Sequence, residues 1–294
     1  MPALIDALFA PFALEFVQRA FLGGALVAVL CGVVGTWVVI RGMAFLGEAL
    51  GHGMLPGVAL ATVLGIPVLV GGAIGATAMS VGVAALQRRG RLSYDTSIGL
   101  LFVAMLSLGV IVISFSGNVA TDATAILFGD ILAISAGDLV VLAAACGIGV
   151  LVAALAHRRF VALALDTRIA TVLGYRPRLA QAVLVGLVTL AVVASYQAVG
   201  SLLVVGLLLA PAVAAGGWTA RIPSRMLLAA AFGIAAVFTG LLASWHFASA
   251  AGASVAAAAI ALAGGSTLIR AAVGARGRRR RGAPEGRTPA PAVA

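Results

Sequence analysis

The chain has 294 residues, of which 63% are hydrophobic and only 10% are charged, a composition that excludes a soluble globular protein and indicates many membrane spans. Its formal net charge of +10 does not indicate a nucleic-acid partner, because the 19 basic residues are all arginine and cluster between apolar runs. The runs are continuously apolar, which excludes a β-barrel, and the 37 glycines favour closely packed helices. We therefore predict an all-α polytopic membrane protein.

Eight of these runs are long enough to cross a hydrocarbon core of about 30 Å. They lie at residues 16–40, 68–86, 97–115, 139–156, 179–194, 199–216, 226–244 and 252–270. A ninth stretch, at 43–64, is interrupted by polar residues and by Pro56-Gly57, so the sequence predicts eight or nine transmembrane helices. The arginine clusters mark the cytoplasmic loops. Arg41 then lies inside, and the N-terminus lies outside if the ninth stretch crosses fully or inside if it does not.

The two ends of the chain and the cysteines have simple interpretations. Residues 1–16 lack a basic segment, so no cleavable signal peptide is predicted. Residues 274–294 are rich in Arg, Pro and Gly, which predicts a disordered basic cytoplasmic tail, attracted to anionic lipid, after a transmembrane domain at 1–273. Cys31 and Cys146 lie in predicted spans without CxxC spacing, so we expect packing residues rather than a disulfide or metal pair.

The first polar feature in the apolar sequence is "RGMAFLGEALGHGMLPGVALA", residues 41–61, which places Glu48 and His52 four residues apart among glycines. A charged carboxylate near the bilayer centre costs about 2.5 to 3.5 kcal/mol, so it needs a wet cavity, a partner or a ligand. On a helix, Glu48, His52 and Pro56 share one face. Carboxylate oxygen and imidazole nitrogen both bind Zn²⁺ or Mn²⁺, which makes Glu48 and His52 candidate metal ligands on a translocation path. The alternatives are a structural pair bonded to neighbouring helices and a proton relay.

Four more polar or helix-breaking residues receive assignments from their positions. Gln197 lies near the external start of a span and is predicted to line the path. Pro211, in "GLLLAPAVAA", is expected to kink its span and mark a gate. Asp95 in "SYDTSIG" and Asp138 in "SAGDLV" each begin a span, so we expect both to be helix N-caps.

A second informative stretch is "LALDTRIATVLGYRPR", residues 163–178, which lies between two arginine-flanked spans and is therefore predicted to be a cytoplasmic loop at about 160–178. Asp166, Ala170 and Gly174 recur every four residues, and Pro177 cannot continue a helix. We expect Asp166 to cap a short helix, and Ala170 and Gly174 to leave a smooth face on which another protein can lie closely. The alternative is an amphipathic connector that touches no partner.

No motif for catalysis or for nucleotide binding accompanies these features. The sequence has no HExxH, and the absence of lysine excludes a Walker A phosphate loop. The chain is therefore predicted to be a transporter subunit and not an enzyme. If ATP drives it, another chain must bind and hydrolyse the ATP.

Five motifs in this order resemble the membrane permeases of ABC importers for zinc, manganese and iron, known as the ABC-3 family. They are "RGMAFLGEALGHGMLPGVALA", "SYDTSIGLLFVAMLSLGVIVIS", "ILFGDILAIS", "LDTRIATVLG" and "QAVGSLLVVGLLLAPAVAA". The resemblance covers about residues 16–269 and implies the fold of an ABC importer permease, in a prokaryotic plasma membrane, with a cytoplasmic C-terminus. The family's histidine usually follows a serine and precedes an alanine. Here it stands as Gly51-His52-Gly53, so Glu48 and His52 are retained while the flanking side chains are lost.

The resemblance also implies partners and a cargo. Asp166, Ala170 and Gly174 carry over as the coupling helix that docks in cytoplasmic ABC ATPase subunits. A homodimer of permeases, the surrounding membrane lipid and an external solute-binding protein complete the expected assembly. The implied cargo is a divalent metal ion, zinc or manganese before iron, and no permanently bound cofactor is implied. The alternatives are a secondary metal transporter with a Glu/His proton relay, an ABC permease for a metal chelate, and a membrane scaffold without transport activity.

Overall fold

The computed structural model describes residues 10–88, 93–115 and 129–281, and the regular structure within these ranges is helical. Two short 3₁₀ turns, Ala10–Ala13 and Ile131–Ala133, accompany ten α-helices. The helices are α1 Glu15–Ile40, α2 Ala44–Gly53, α3 Leu55–Leu64, α4 Val68–Arg88, α5 Tyr94–Phe115, α6 Ala136–Leu165, α7 Thr167–Val172, α8 Pro177–Gly216, α9 Ile222–Phe247 and α10 Ala251–Arg281.

The eight predicted apolar runs are confirmed, because each lies within a helix that is long and apolar enough to cross a membrane. The eight candidate spans are Glu15–Ile40, Val68–Gln87, Tyr94–Phe115, Ala136–Leu165, Pro177–Tyr196, Ala198–Gly216, Ile222–Phe247 and Ala251–Val273. All backbone hydrogen bonds of a helix are internal, so such segments alone satisfy their polar groups in lipid. The chain is therefore a multi-pass membrane protein.

The interrupted stretch at 43–64 forms two ten-residue helices, α2 and α3, which meet at Met54. Pro56 has no N–H to donate to the His52 carbonyl, and the helix is interrupted at this point. The pair runs antiparallel to α4, with Gly53 beside Met79 and Gly57 against the backbone of Gly71. At 1.5 Å per residue, α2 and α3 together reach about 30 Å, the length of a ninth crossing segment.

Helix α8 is two spans joined at Gly200, whose φ of 72° and ψ of 166° are not helical. This backbone region is open essentially to glycine alone. Two residues on either side of the break, Leu190 and Leu208, both lie beside the middle of α1 and its neighbours, so the chain reverses direction at Gly200. The backbone of Gly129, which also has a positive φ, packs directly against the Gly200 backbone and leaves no room for a side chain.

Helix α1 is the centre of the bundle and packs against α6, α8 and α9. Its buried side chains include Leu30, Cys31 and Trp37, and Trp37 stacks edge-on against Phe160 of α6 with ring centroids 5.3 Å apart. Cys31 and Cys146 are free and buried, which confirms their prediction as packing residues.

The two aspartates predicted as N-caps are not caps, because a serine takes that place in each helix. The Ser93 hydroxyl accepts the Thr96 N–H at the start of α5, and Asp95 lies inside the first turn. At α6, the Ser135 hydroxyl accepts the Asp138 N–H, while the Asp138 carboxylate accepts the Ser135 N–H in return. This reciprocal capping box leaves Asp138 as the third residue of the helix.

The predicted boundary between the membrane domain and the tail falls within α10. The helix continues through Arg281, into the stretch predicted as tail, and residues 1–9 and 282–294 lie outside the described residues. The disordered tail and the side of the N-terminus therefore stay predictions.

Candidate functional site

Glu48 and His52 lie on α2, a helix that packs against α4, α5 and α8. Glycines on the other faces of α2 allow this close packing. Gly47 lies beside the Leu208 side chain, and Gly51 lies beside Ser201. Both Glu48 and His52 are half-buried, so the helix carries a polar pair at the margin of the packed bundle.

The imidazole of His52 is oriented by its own helix and by one aromatic ring. Its Nδ1 lies 3.2 Å from the carbonyl oxygen of Glu48, and the Phe102 ring of α5 packs edge-on with centroids 5.5 Å apart. In the neutral ring, Nδ1–H donates to that carbonyl, which leaves the Nε2 lone pair available. A second-shell bond of this kind fixes the tautomer of a metal-binding histidine.

The chemically active atoms of the pair have no protein partner in the part of the chain that the structure describes. The Glu48 carboxylate makes no hydrogen bond or ion pair there, and the His52 Nε2 makes none either. No group of three or more His, Cys, Asp or Glu side chains gathers among the described residues. Two ligands cannot enclose a metal ion, so this arrangement allows weak, exchangeable coordination rather than a closed site.

The three residues predicted to line the path occupy separate places. Pro56 is half-buried near the start of α3, one turn above His52. Pro211 is buried within the second half of α8, where the only non-helical residue described is Gly200. The side chain of Gln197 lies outside the described residues. The roles of all three in a path stay predictions.

The loop between α6 and α8 contains the short helix α7, and its ends have defined causes. The Asp166 carboxylate accepts the Arg168 N–H at 2.6 Å, which confirms Asp166 as an N-terminal cap. The Gly174 N–H donates to the Thr171 carbonyl and the Tyr175 N–H donates to the Ala170 carbonyl. With a φ of +76°, Gly174 therefore ends α7 in a Schellman motif, and α8 begins at Pro177.

The expectation of a smooth exposed face at Ala170 and Gly174 is only half right. Ala170 is 1% exposed, so it packs inward and cannot contact a partner in this conformation. Gly174 is exposed, and a Cβ built on it meets no heavy atom within 4 Å. The spacing of four residues predicted one helix face, but Gly174 lies beyond the end of α7 and leaves that face.

Exposed apolar residues in this loop were missed by the sequence reasoning. Val172 is 87% exposed, Leu173 is 60% exposed, and Leu165 at the end of α6 is similarly open. Outside the membrane, large apolar side chains exposed together mark an interaction surface. The available signal was the pair Val172-Leu173 directly before a helix-ending glycine, in a loop otherwise rich in arginine.

Comparisons with known proteins agree with this arrangement. The manganese transport system membrane protein MntC of Listeria monocytogenes is 33% identical over 82% of this chain and 86% of its own length. The chelated iron transport system membrane protein YfeD of Yersinia pestis is 31% identical over 86% of this chain and 84% of its own. The solved structure of PsaBC from Streptococcus pneumoniae in complex with Fab is 28% identical. It covers 89% of this chain and 95% of that one, with a TM-score of 0.78.

The match to a protein family extends over nearly all of the described membrane bundle. The model of the ABC 3 transport family covers residues 13–269, from the first 3₁₀ turn to the last span. All five motifs on which the resemblance was based fall within this range. The chain belongs to the ABC 3 transport family.

Proposed function

We propose that this chain is the permease of an ATP-driven importer and that Glu48 and His52 hand a divalent metal ion across the membrane. The observation that supports this most is the pair itself. A carboxylate and an imidazole Nε2 stand side by side on α2, without protein partners in the described residues, inside a bundle of membrane spans. Such groups are costly in a membrane unless they serve a ligand.

The energy would come from a separate cytoplasmic ATPase that binds the loop around α7. Supporting this, Val172 and Leu173 expose apolar surface there, and Asp166 and Gly174 give the loop a defined shape. The surrounding arginines favour a cytoplasmic position for this loop and for the C-terminus. The external face would receive the metal from a solute-binding protein.

A homodimer would complete the metal path. One copy supplies two side-chain ligands, whereas a metal ion in a protein commonly takes four or more. A two-fold axis beside α2 would bring a second Glu48 and a second His52 to the same path. Passage requires that the ion also leave, so coordination shared between two subunits and water suits transport better than a rigid cage.

Manganese and iron are the favoured cargoes, with zinc as a third candidate. Relatives of this chain are named for manganese and for chelated iron. Carboxylate oxygen suits Mn²⁺, and imidazole nitrogen suits Fe²⁺ and Zn²⁺, so the donor set accepts all three. The relative named for chelated iron supports import of a metal chelate as the second candidate function. A chelate would require a wide apolar cavity and no free ligands near its entrance.

Uptake into proteoliposomes tests the proposal. The permease is reconstituted with its ATPase and binding protein, and isotopically labelled Mn²⁺ is followed with unlabelled Fe²⁺, Zn²⁺ or an iron chelate as competitor. We expect uptake that requires ATP and that the free ions reduce more than the chelate does. Uptake that persists without ATP and stops when the proton gradient is dissipated would instead support a secondary transporter. Stronger competition by the chelate would support the second candidate.

A further inference from the structure

Arg41 lies at the point where α1 ends and the chain turns toward the helix that carries Glu48 and His52. It follows Trp37 by one turn, and Trp37 packs against Phe160 of α6. The guanidinium Nη1 donates to the Leu163 carbonyl oxygen at 2.7 Å. Leu163 is in the last turn of α6, where carbonyl groups have no partner within their helix, and a cation is favourable there.

The same guanidinium also reaches the other side of the α7 loop. Its Nη2 donates to the Gln181 Oε1 at 3.4 Å, and the Gln181 Nε2 donates in turn to the Met43 sulfur at 3.5 Å. Leu163 precedes the loop and Gln181 follows it, so both of its anchors contact the connection between α1 and α2. We call the side chains of Arg41, Met43 and Gln181 with the Leu163 carbonyl the base clamp.

The connection held by the base clamp can act as a hinge. Gly42, between the two clamped residues, has a φ of +65°, and a Cβ built on it meets no heavy atom within 4 Å. Met43 is the residue directly before the first turn of α2. A displacement of Gln181 therefore acts on the residue from which α2 starts, and Glu48 follows five residues later in the same helix.

Hydrogen-bond donors at the base clamp are only partly used in this conformation. Among the described residues, the buried Arg41 Nε and the buried Tyr94 hydroxyl lack hydrogen-bond partners, although Tyr94 lies beside Gln181 and Arg41. Unpaired buried donors are rare in folded proteins because each carries a desolvation cost. They supply the partners for a second arrangement of the same groups, as an element with two states requires.

We infer that Arg41 and Gln181 are positioning residues that transmit movement of the α7 loop to α2, and so to Glu48 and His52. The inference rests on the proposed function, in which the loop is where the ATPase acts. It adds the route from that loop to the metal path, through contacts between residues 122 and 140 positions apart. Neither residue touches the metal in this proposal.

The test compares Arg41→Lys and Gln181→Leu in the reconstituted complex, with ATP hydrolysis and metal uptake measured on the same vesicles. Lysine has one ammonium group and cannot hold both anchors, and leucine removes both amide contacts at similar volume. We expect ATP hydrolysis to persist while metal imported per ATP falls about threefold to tenfold. Arg41→Lys should retain more coupling than Arg41→Ala, which loses both anchors.

Arg225→Lys is the matched control. Arg225 of α9 makes the same kind of contact, since its Nε and Nη2 both lie 3.3 Å from the Ala212 carbonyl oxygen of α8, away from the α7 loop. A structural loss there should lower uptake and hydrolysis together, in proportion to folded protein. Unchanged uptake per ATP in Arg41→Lys and Gln181→Leu, or an equal fall in Arg225→Lys, overturns the inference.

A second measurement separates failure of the inference from failure of the proposed function. If the wild-type complex imports no metal with ATP, the proposed function is wrong, and the base clamp is then judged by hydrogen exchange in the chain alone. Gln181→Leu should speed amide exchange in residues 44–53 more than Arg225→Lys does. Equal exchange in the two variants overturns the positioning role.

Discussion

Gly174→Trp should uncouple the permease from its ATPase, and the structure separates the two effects of this substitution. The first effect is strain, because Gly174 has a φ of +76° and any residue with a Cβ is disfavoured there. The second is bulk, which would clash only with a partner, since a Cβ at this position meets no heavy atom of the chain within 4 Å. Gly174→Ala is the matched control, because it introduces the strain without the bulk.

The strain is of similar size in both variants. A left-handed backbone conformation costs a non-glycine residue roughly 1–2 kcal/mol. Alanine and tryptophan should therefore lower the free energy of unfolding of the isolated permease by similar amounts. The indole has open space around its Cβ in the isolated chain. Any additional loss in the complex then measures contact between position 174 and the ATPase.

Two measurements decide this. Thermal unfolding of the purified permease in detergent gives the strain, and ATPase binding and ATP-driven uptake in vesicles give the effect of bulk. We expect equal melting temperatures for Gly174→Ala and Gly174→Trp, near-normal uptake for the alanine variant, and at least about tenfold less for the tryptophan variant, since one buried clash commonly exceeds 1.4 kcal/mol. If the two variants bind the ATPase and transport equally, no partner approaches Gly174 and the docking assignment is wrong.

Three further predictions concern other parts of the molecule. Replacing exposed Val172 and Leu173 by serine should weaken ATPase binding without lowering the melting temperature, as a pull-down with parallel melting curves would record. Gly200→Ala should destabilise the permease by roughly 1–3 kcal/mol because of its φ of 72°, whereas Gly186→Ala, in open space on the same helix, should not lower the melting temperature. Phe102→Leu removes the ring against His52 and should raise the metal concentration needed for half-maximal uptake, with ATPase binding unchanged. Normal values in these assays would contradict the corresponding contact.

The membrane spans could be predicted from sequence because lipid imposes one requirement on all of them. A crossing helix needs a long apolar run, so hydropathy alone located all eight candidate spans. Breaks within spans were less accessible. Pro211 was expected to interrupt α8, yet the non-helical residue is Gly200, whose conformation is supported by contact with Gly129 far away in the sequence. With 37 glycines in the chain, no local pattern distinguishes this one.

The candidate site shows the same division between local and long-range information. The shared face of Glu48 and His52 and the cap by Asp166 follow from spacing within one helix, and the structure agrees with both. The burial of Ala170 and the contacts of Arg41 with Leu163 and Gln181 depend on how distant helices pack. A single sequence carries no direct signal for such pairs, which is why Arg41 was interpreted only as a marker of the cytoplasmic side.

Metal uptake by Glu48→Gln, His52→Ala and the double variant, compared with their thermal stability, tests the central claim most directly. Both changes should leave insertion and ATPase binding intact, because removing a charge from a membrane segment lowers its insertion cost. We predict a strong loss of uptake in each single variant, little change in melting temperature, and a double variant less impaired than the two losses combined, since residues serving one ion are coupled. Normal uptake in both single variants, or losses that only follow the amount of folded protein, would contradict the claim that this pair carries the metal.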